Sequence, residues 1–310
     1  MRRSPASLTA LALLAAALLL SCKEGVEPLP QASFSPDASY GEGTKQDAGK
    51  AVTLATWNVE GFDLGGKAPA GTYSGIATAL KDASVEVAAL EEVQTDDIEK
   101  LKAALKDADC GMPYVACSSL SDRYNALAVA SAYPILEAKE ILSASPRTVF
   151  KVRLDVGKGL TLFVCHLKSG TDSPTKRIAQ ARALADYLRN GYPDSISSAY
   201  LAVLGDMNTM SEADRSGSGS TLACLQLKDD SLPANDFTSL TEELLYPANS
   251  YSWEGTINGV LTQSSLDHII LSPAAKAHYV KDSLKIYRSD PNVTMQANSD
   301  HFPVVLDIDL

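Results

Sequence analysis

Short apolar runs without polar alternation constrain this chain more than any other feature, because such runs read as strands covered on both faces. They fall at 52–57, 85–90, 126–130, 138–142, 149–154, 160–165, 200–204, 266–271, 284–287 and 304–308. Asp155 to Gly159 reads as a hairpin turn between two of them. Helical spacing appears at 73–81, from Thr95 to about Lys106, and at 176–189. Thr95 is a suitable N-cap, with Ile98, Leu101 and Leu105 on one face behind it. Ile178, Ala181, Leu184 and Leu188 form the inward face of the last helix, and 211–220 reads as a polar loop. Strands outnumber helices and come in two blocks, each mixed with helices. That order predicts two sheets packed face to face with helices outside.

The first fifty residues follow a different logic. Arg2 and Arg3 precede an apolar stretch from Leu8 to Leu20 that is short for a bilayer span. It ends in Ser21-Cys22, a secretory signal pattern that resembles a bacterial lipobox. The resemblance implies cleavage before Cys22, lipidation of its thiol, and a membrane-tethered protein of the cell envelope, periplasmic or on the outer surface. Residues 23–50 are rich in Pro, Ser, Gly, Asp and Ala and carry no apolar period. The expected organisation is a signal peptide at 1–21, a flexible tether at 22–50 and one folded domain at 51–310. Of the five cysteines, Cys22 is taken by the lipobox. Cys110 and Cys117 are the expected disulfide pair, and Cys165 sits in an apolar run as a small core residue. The absence of a Cys-x-x-Cys spacing argues against a thiol redox site or structural zinc.

Polar clusters sit at the ends of the apolar runs. They are Trp57-Asn58, Glu91-Glu92, His166, Gly205-Asp206-Met207-Asn208, Asp267-His268 and Asp300-His301. Glu92, ending the 85–90 run, is a natural ligand for a hard cation, and Asn58 could ligate metal or contact phosphate through its amide. Asp206 and Asn208, two residues apart, would face one side in extended geometry and orient water and phosphate together. Lys168 adds local positive charge beside His166. Asp267 could hold His301 in one tautomer, as a carboxylate does for a catalytic imidazole. His268 should face away from Asp267 as a packing neighbour. Oxygen ligands without thiolates suit Mg²⁺, with Mn²⁺ as a substitute. A net charge of −11 excludes a general electrostatic affinity for nucleic acid, so a phosphate substrate needs bound metal or local basic residues.

At these positions the chain resembles the endonuclease/exonuclease/phosphatase superfamily, the deoxyribonuclease-I-like enzymes. The matching strings are Thr56-Trp57-Asn58-Val59, Leu90-Glu91-Glu92-Val93-Gln94, Cys165-His166-Leu167-Lys168-Ser169, Leu204-Gly205-Asp206-Met207-Asn208, Leu266-Asp267-His268-Ile269 and Ser299-Asp300-His301-Phe302-Pro303-Val304. The resemblance implies a four-layer α/β/β/α sandwich and a divalent-metal phosphoesterase. It assigns Glu92 and Asp300 to metal, helped by Asn58. Asp206 and Asn208 would align water and phosphate. His301, oriented by Asp267, would be general base or transition-state stabiliser. His166 would contact the scissile phosphate or act as general acid, and Arg147 would bind phosphate. Tyr124-Asn125 is a weaker match. Relatives often carry Gln where this chain has Glu91, whose side chain should point away from that of Glu92. The 123–132 segment lacks a glycine often found there.

The expected activity is hydrolysis of phosphodiesters by a lipid-anchored nuclease acting on extracellular or periplasmic DNA or RNA. Lys168, Lys176 and Arg177 would supply a basic rim for a polyanion. The alternatives are a sphingomyelinase-like phosphodiesterase acting on phospholipid head groups, which needs an exposed apolar or aromatic loop, another phosphatase of the same superfamily, and a surface lipoprotein that only binds. Tyr246, Tyr251 and Trp253 are the nearest aromatic residues to such a loop. Nothing in the pattern implies an obligate protein partner.

Overall fold

The computed structural model describes residues 51–60, 73–94, 98–119, 125–142, 147–244, 251–288 and 299–310. Cys22, Thr95, Tyr124 and Tyr246 lie outside the described residues, and so do the signal and tether expectations. The first half supplies β1 (Val52–Asn58), α1 (Tyr73–Asp82), β2 (Val87–Gln94), α2 (Ile98–Asp107), β3 (Tyr114–Cys117), β4 (Asn125–Ser131), β5 (Ile135–Ile141) and β6 (Val149–Leu154). The second half supplies β7 (Leu160–His166), α3 (Pro174–Gly191), β8 (Leu201–Asp206), α4 (Glu212–Arg215), α5 (Thr221–Leu225), β9 (Thr238–Ser239), β10 (Trp253–Ile257), β11 (Val260–Ser264), β12 (Asp267–Leu271), α6 (Pro273–Ala277), β13 (Lys285–Ile286) and β14 (Val304–Ile308).

Two mixed six-stranded sheets form, with orders β13-β14-β1-β2-β4-β3 and β5-β6-β7-β8-β12-β9. Each has a parallel pair near its centre, β1 with β2 and β7 with β8. A parallel pair requires a crossover, and the chain supplies α1 for the first and α3 for the second. The two sheets enclose one core, with Leu54, Ala89, Val129, Phe150, Leu162, Leu204, Ile269 and Leu306. On the outer face of the first sheet, Ile76, Leu80, Leu101 and Leu105 from the helices pack with Ala55, Trp57, Ala88 and Leu90. Phe163, Cys165 and Val203 do the same against Ala181, Leu184 and Leu188 of α3. Alternate residues of one strand thus enter different cores, which explains why the strands read as continuous apolar runs. Each fully buried Leu or Phe contributes about 1.5–3 kcal/mol of transfer free energy.

The inter-sheet face continues into polar residues at one rim. Leu54, Thr56 and Asn58 keep one parity along β1. Leu160, Leu162, Val164 and His166 do so along β7, Ala202, Leu204 and Asp206 along β8, and Asp267, Ile269 and Leu271 along β12. The parallel registers set Asn58 beside Glu91 and His166 beside Asp206.

Several expectations need correction. β2 does not end at Leu90 but runs to Gln94, through a register shift between Leu90 and Val93. The 211–220 segment is not plain loop, because Ser211 and Asp214 form a capping box that starts α4. Cys110 and Cys117 are free thiols: the Cys110 Sγ donates to the Ala77 carbonyl and the Cys117 Sγ to that of Ser118. Arg177 is fully buried, so it belongs to no basic rim. A separate hairpin of β10 and β11, which the apolar pattern did not foretell, stands beside the rim.

Candidate active site

Two local devices aim the site. Strict alternation would send Glu91 between the sheets and Glu92 toward the outer helices. Glu91 does enter the inter-sheet space, fully buried. Glu92, however, takes a left-handed backbone (φ 59°) at the bulge, and its carboxylate swings to the rim. Glu91 thus keeps the inward parity that alternation predicts, and the charges of Asp267 and Asp206 act on it there. The second device is Gly205-Asp206. Gly205 has φ 135°, and a Cβ there would collide with the Cys165 carbonyl oxygen. Only glycine lets β8 approach β7 closely enough to pair His166 with Asp206.

The gathered side chains line one pocket of about 420 Å³. Asn58, Glu60, Glu92, His166, Asp206, Asn208, Trp253, Asp300 and His301 are among its walls, with Ser169, Gly170, Thr171, Met210 and Ile257 further out. Asn58 Nδ2 donates to Glu92 Oε1 (3.1 Å) and to Asp206 Oδ2 (3.0 Å). Its Oδ1 accepts from the Glu60 amide at 2.9 Å, so the amine end of Asn58 faces the carboxylates. Asn208 is not extended from Asp206. It adopts φ 49°, its N–H donates to Asp206 Oδ1 at 2.8 Å, and its Nδ2 donates to the Leu167 carbonyl at 3.1 Å. The two residues share the pocket through a turn.

His301 and Asp267 form the central couple, with Nδ1 2.8 Å from Asp267 Oδ2. His301 Nε2 looks outward, 3.8 Å from Asp206 Oδ2 and 3.7 Å from Asp300 Oδ1. The backbone around it is pinned: the buried Trp57 indole donates to the His301 carbonyl (3.1 Å) and Ser299 Oγ accepts from the His301 amide (3.0 Å). His166 Nε2 lies 3.5 Å from both Glu92 Oε1 and Asp206 Oδ2.

Electrostatics separates the roles. Burial works against the imidazolium of His301, but Asp267, by charge and hydrogen bond, with Asp206 and Asp300, outweighs it and pushes the pKa up to about 10. Burial, with Arg147, His301 and Lys168 nearby, holds His166 well below its ordinary value, so it is a neutral donor at neutral pH. Burial raises Asp206 to about 7 against the opposing pull of His301. Glu60 is raised by burial and then by the charge of Asp300, and Glu91 is raised well above the usual range by burial and then by Asp267.

Among the described residues, the lining side chains include no lysine or arginine. Lys168 turns its ammonium to Ser169, and Arg147 donates to the Leu167 carbonyl at 2.8 Å, outside those walls. A phosphate could enter so acidic a pocket only with a cation, and the hard oxygens present suit a divalent one. Asp206, Asp267 and His301 place ligand atoms within 4.8 Å of one another, a group that could bind a metal ion. Asp267 Oδ1 in that group is buried without a hydrogen-bond partner among the described residues.

The structure therefore brings Asn58, Glu92, His166, Asp206, Asn208, Asp267, Asp300 and His301 together, whereas Arg147 is not one of the lining residues. Sequence reasoning missed Glu60, whose Oε2 accepts from the Asp300 amide at 3.3 Å. Its signal was an acidic residue two places beyond Asn58. The Trp253 contact to Asp300 was missed too, because it depends on the hairpin.

An α/β sandwich with this rim is of the phosphoric-ester-hydrolase class. A model of the Endonuclease/Exonuclease/phosphatase family matches residues 55–290, and the chain belongs to that family. Among solved structures it is similar to TDP2 from D. rerio complexed with single strand DNA product (18% identity, TM-score 0.63, covering 84% of this chain and 100% of that one). It is also similar to the 3'-5' exonuclease NExo from Neisseria meningitidis (19%, 0.58, 84% and 100%). The human Nocturnin catalytic domain with bound sulfate gives 17% identity, a TM-score of 0.55 and coverage of 83% and 93%. At such identities the likeness establishes the fold alone. No curated protein matches the chain.

Proposed function

We propose that this protein is a Mg²⁺-dependent phosphodiesterase acting on nucleic acid. The His301–Asp267 couple carries the reading, because its outward Nε2 shares one acidic pocket with Asp206, Asn208, His166 and Asn58. Glu92 and Asp300, with Glu60 beside them, are the oxygen donors that would hold the cation, and Mn²⁺ could replace it. When bound, the cation supplies neutralisation of charge on the phosphoryl oxygens. Asp206 and Asn208 orient the attacking water, with Asp206 as the acceptor its raised pKa equips it to be. His166 donates to the phosphate, and Asn58, whose Nδ2 donates to Glu92 and Asp206, orients those two carboxylates. His301, held charged by Asp267, stabilises the developing negative charge.

Solved neighbours crystallised with a single strand DNA product or a product DNA hairpin support DNA as the substrate class. A second reading, a phospholipid head-group phosphodiesterase, is favoured by one observation. The β10–β11 hairpin lines the pocket with Ile257 and exposes Val260 (65%) and Leu261 (63%) near its tip. The signal and lipobox pattern supports attachment to the cell envelope through Cys22.

One experiment tests these points. Wild type and Cys22→Ser are expressed, fractionated, and assayed with Mg²⁺, Mn²⁺ or EDTA on DNA, RNA, sphingomyelin vesicles and inositol phosphates. The expected result is cleavage of nucleic acid, silence in EDTA, and release of Cys22→Ser from membranes. Turnover of sphingomyelin alone would replace the nuclease reading, and membrane retention of Cys22→Ser would remove the anchor.

A further inference from the structure

We propose that Trp253 is a positioning residue that presets the Asp300 carboxylate for the cation, and that Gly255 holds the indole in place. The inference rests on the reading of Asp300 as a cation ligand.

Asp300 sits at the rim with its side chain 37% exposed, where an aspartate ordinarily samples several rotamers. Here it is fixed from three directions. Trp253 Nε1 donates to Asp300 Oδ2 at 2.7 Å. The Glu254 amide donates to the Asp300 carbonyl at 3.0 Å, and Trp253 forms a β-bridge with His301. The Asp300 amide donates to Glu60 Oε2 at 3.3 Å. An indole N–H is a donor only, so it orients one carboxylate oxygen without competing for the cation. With Oδ2 held, Oδ1 turns toward His301 Nε2, 3.7 Å away.

Gly255 explains why the ring stays there. A Cβ at Gly255 would collide with the six-membered ring of Trp253, so the indole lies directly over the glycine. The hairpin thereby acts as a bracket for a ligand that lies outside the sheet, four residues ahead of β14. Partners that orient metal ligands typically account for ten- to a hundredfold in affinity.

Calorimetric titration of Mn²⁺ into the purified protein and its Asp300→Asn, Trp253→Phe and Gly255→Ala variants tests this. Phe keeps the ring and loses the N–H, whereas Ala at 255 keeps the indole and displaces it. Both should weaken Mn²⁺ about tenfold or more, and Asp300→Asn should weaken it further. The turnover deficit of Trp253→Phe should shrink as Mn²⁺ is raised, with the shape of its pH profile unchanged. Wild-type Mn²⁺ affinity in both hairpin variants, with Asp300→Asn weakened, overturns the inference and leaves the site reading intact. Wild-type affinity in Asp300→Asn overturns the reading of Asp300 itself. If Trp253→Phe fails to fold, Gly255→Ala decides alone.

Discussion

Two buried polar clusters, one bound to the backbone of a lining residue, Gly170, and one at the rim, are built on opposite principles. In the first, Arg177 sends Nε and Nη2 to the two oxygens of Asp214 (2.8 and 2.7 Å) and Nη1 to the carbonyls of Lys168 and Gly170. Asp214 also accepts from Thr221 Oγ1 and from the amide and hydroxyl of Ser211. Burial raises the Asp214 pKa, but the Arg177 fork and the Ser211 and Thr221 hydroxyls hold it below the usual range. In the second cluster, Glu91 Oε2, Asp267 Oδ1 and His166 Nδ1 are buried with no hydrogen-bond partner among the described residues. Carboxylates crowd there, and Asp206 is raised to about 7. A saturated network holds shape, whereas an unsaturated one keeps binding capacity for something that arrives. The first cluster ties down the backbone of Lys168 and Gly170 and α4, and the second is the one proposed above to do the chemistry.

The sharpest way to break this comparison is Asp206→Asn. The amide keeps the shape and loses the proton acceptor, so turnover should fall by about 10²–10⁴. Because the ionised Asp206 is disfavoured by burial, removing its charge should leave the thermal midpoint unchanged or raise it. A variant that unfolds earlier than wild type while retaining turnover would reverse the roles given to the two clusters.

Asp214→Ala is the opposite probe. It strands Arg177, which is fully buried, without its partner. Breaking such a pair should cost about 3–5 kcal/mol of stability. Denaturant unfolding measures the loss, and turnover per folded molecule should fall far less than in Asp206→Asn. Undiminished stability would mean that the network is not what holds the wall.

The sequence made one cluster legible and hid the other. Asn58, His166, Asp206 and Asp267 could be read because each extends the inward parity of an apolar strand by one step, so burial and aim follow from the period of two. The two-sheet architecture was readable for the same reason. Arg177 could not be read, since a basic residue in the first turn of an amphipathic helix looks solvated, and its burial depends on Asp214, 37 residues away. Glu92 was found by type but not by geometry, because its aim needs a left-handed bulge that no hydrophobic pattern encodes. Trp253 and Glu60 lie on rim elements with weak alternation, where period carries no information. The exposed Val260 and Leu261 blurred the hairpin further.

The gentlest probe is Glu91→Gln. Thr56 Oγ1 donates to Glu91 Oε1 at 2.9 Å, a bond that the Gln carbonyl can keep. The amide nitrogen then replaces the unpartnered Oε2 beside the negative Asp267, so turnover should change little. The pH dependence of stability should change more. A carboxyl whose folded pKa lies above its ordinary 4.5 holds a proton in the native state that the unfolded chain has shed. Wild-type stability therefore falls as pH rises from about 4.5 toward the raised folded value. Asp206 adds the same sign between 3.8 and about 7. His301 contributes stability that is full below 6.5 and lost as pH climbs through about 10. His166, held low, and His268, lowered to about 4, act with the opposite sign below pH 6.5, so in cation-free protein the thermal midpoint should decline from about pH 6.5 to alkaline pH. Glu91→Gln should flatten that decline and gain most over wild type at its alkaline end. Parallel curves for the two proteins would show that Glu91 is no strained acid, and would leave Asp267 Oδ1 and His166 Nδ1 as the unsaturated atoms of the cluster.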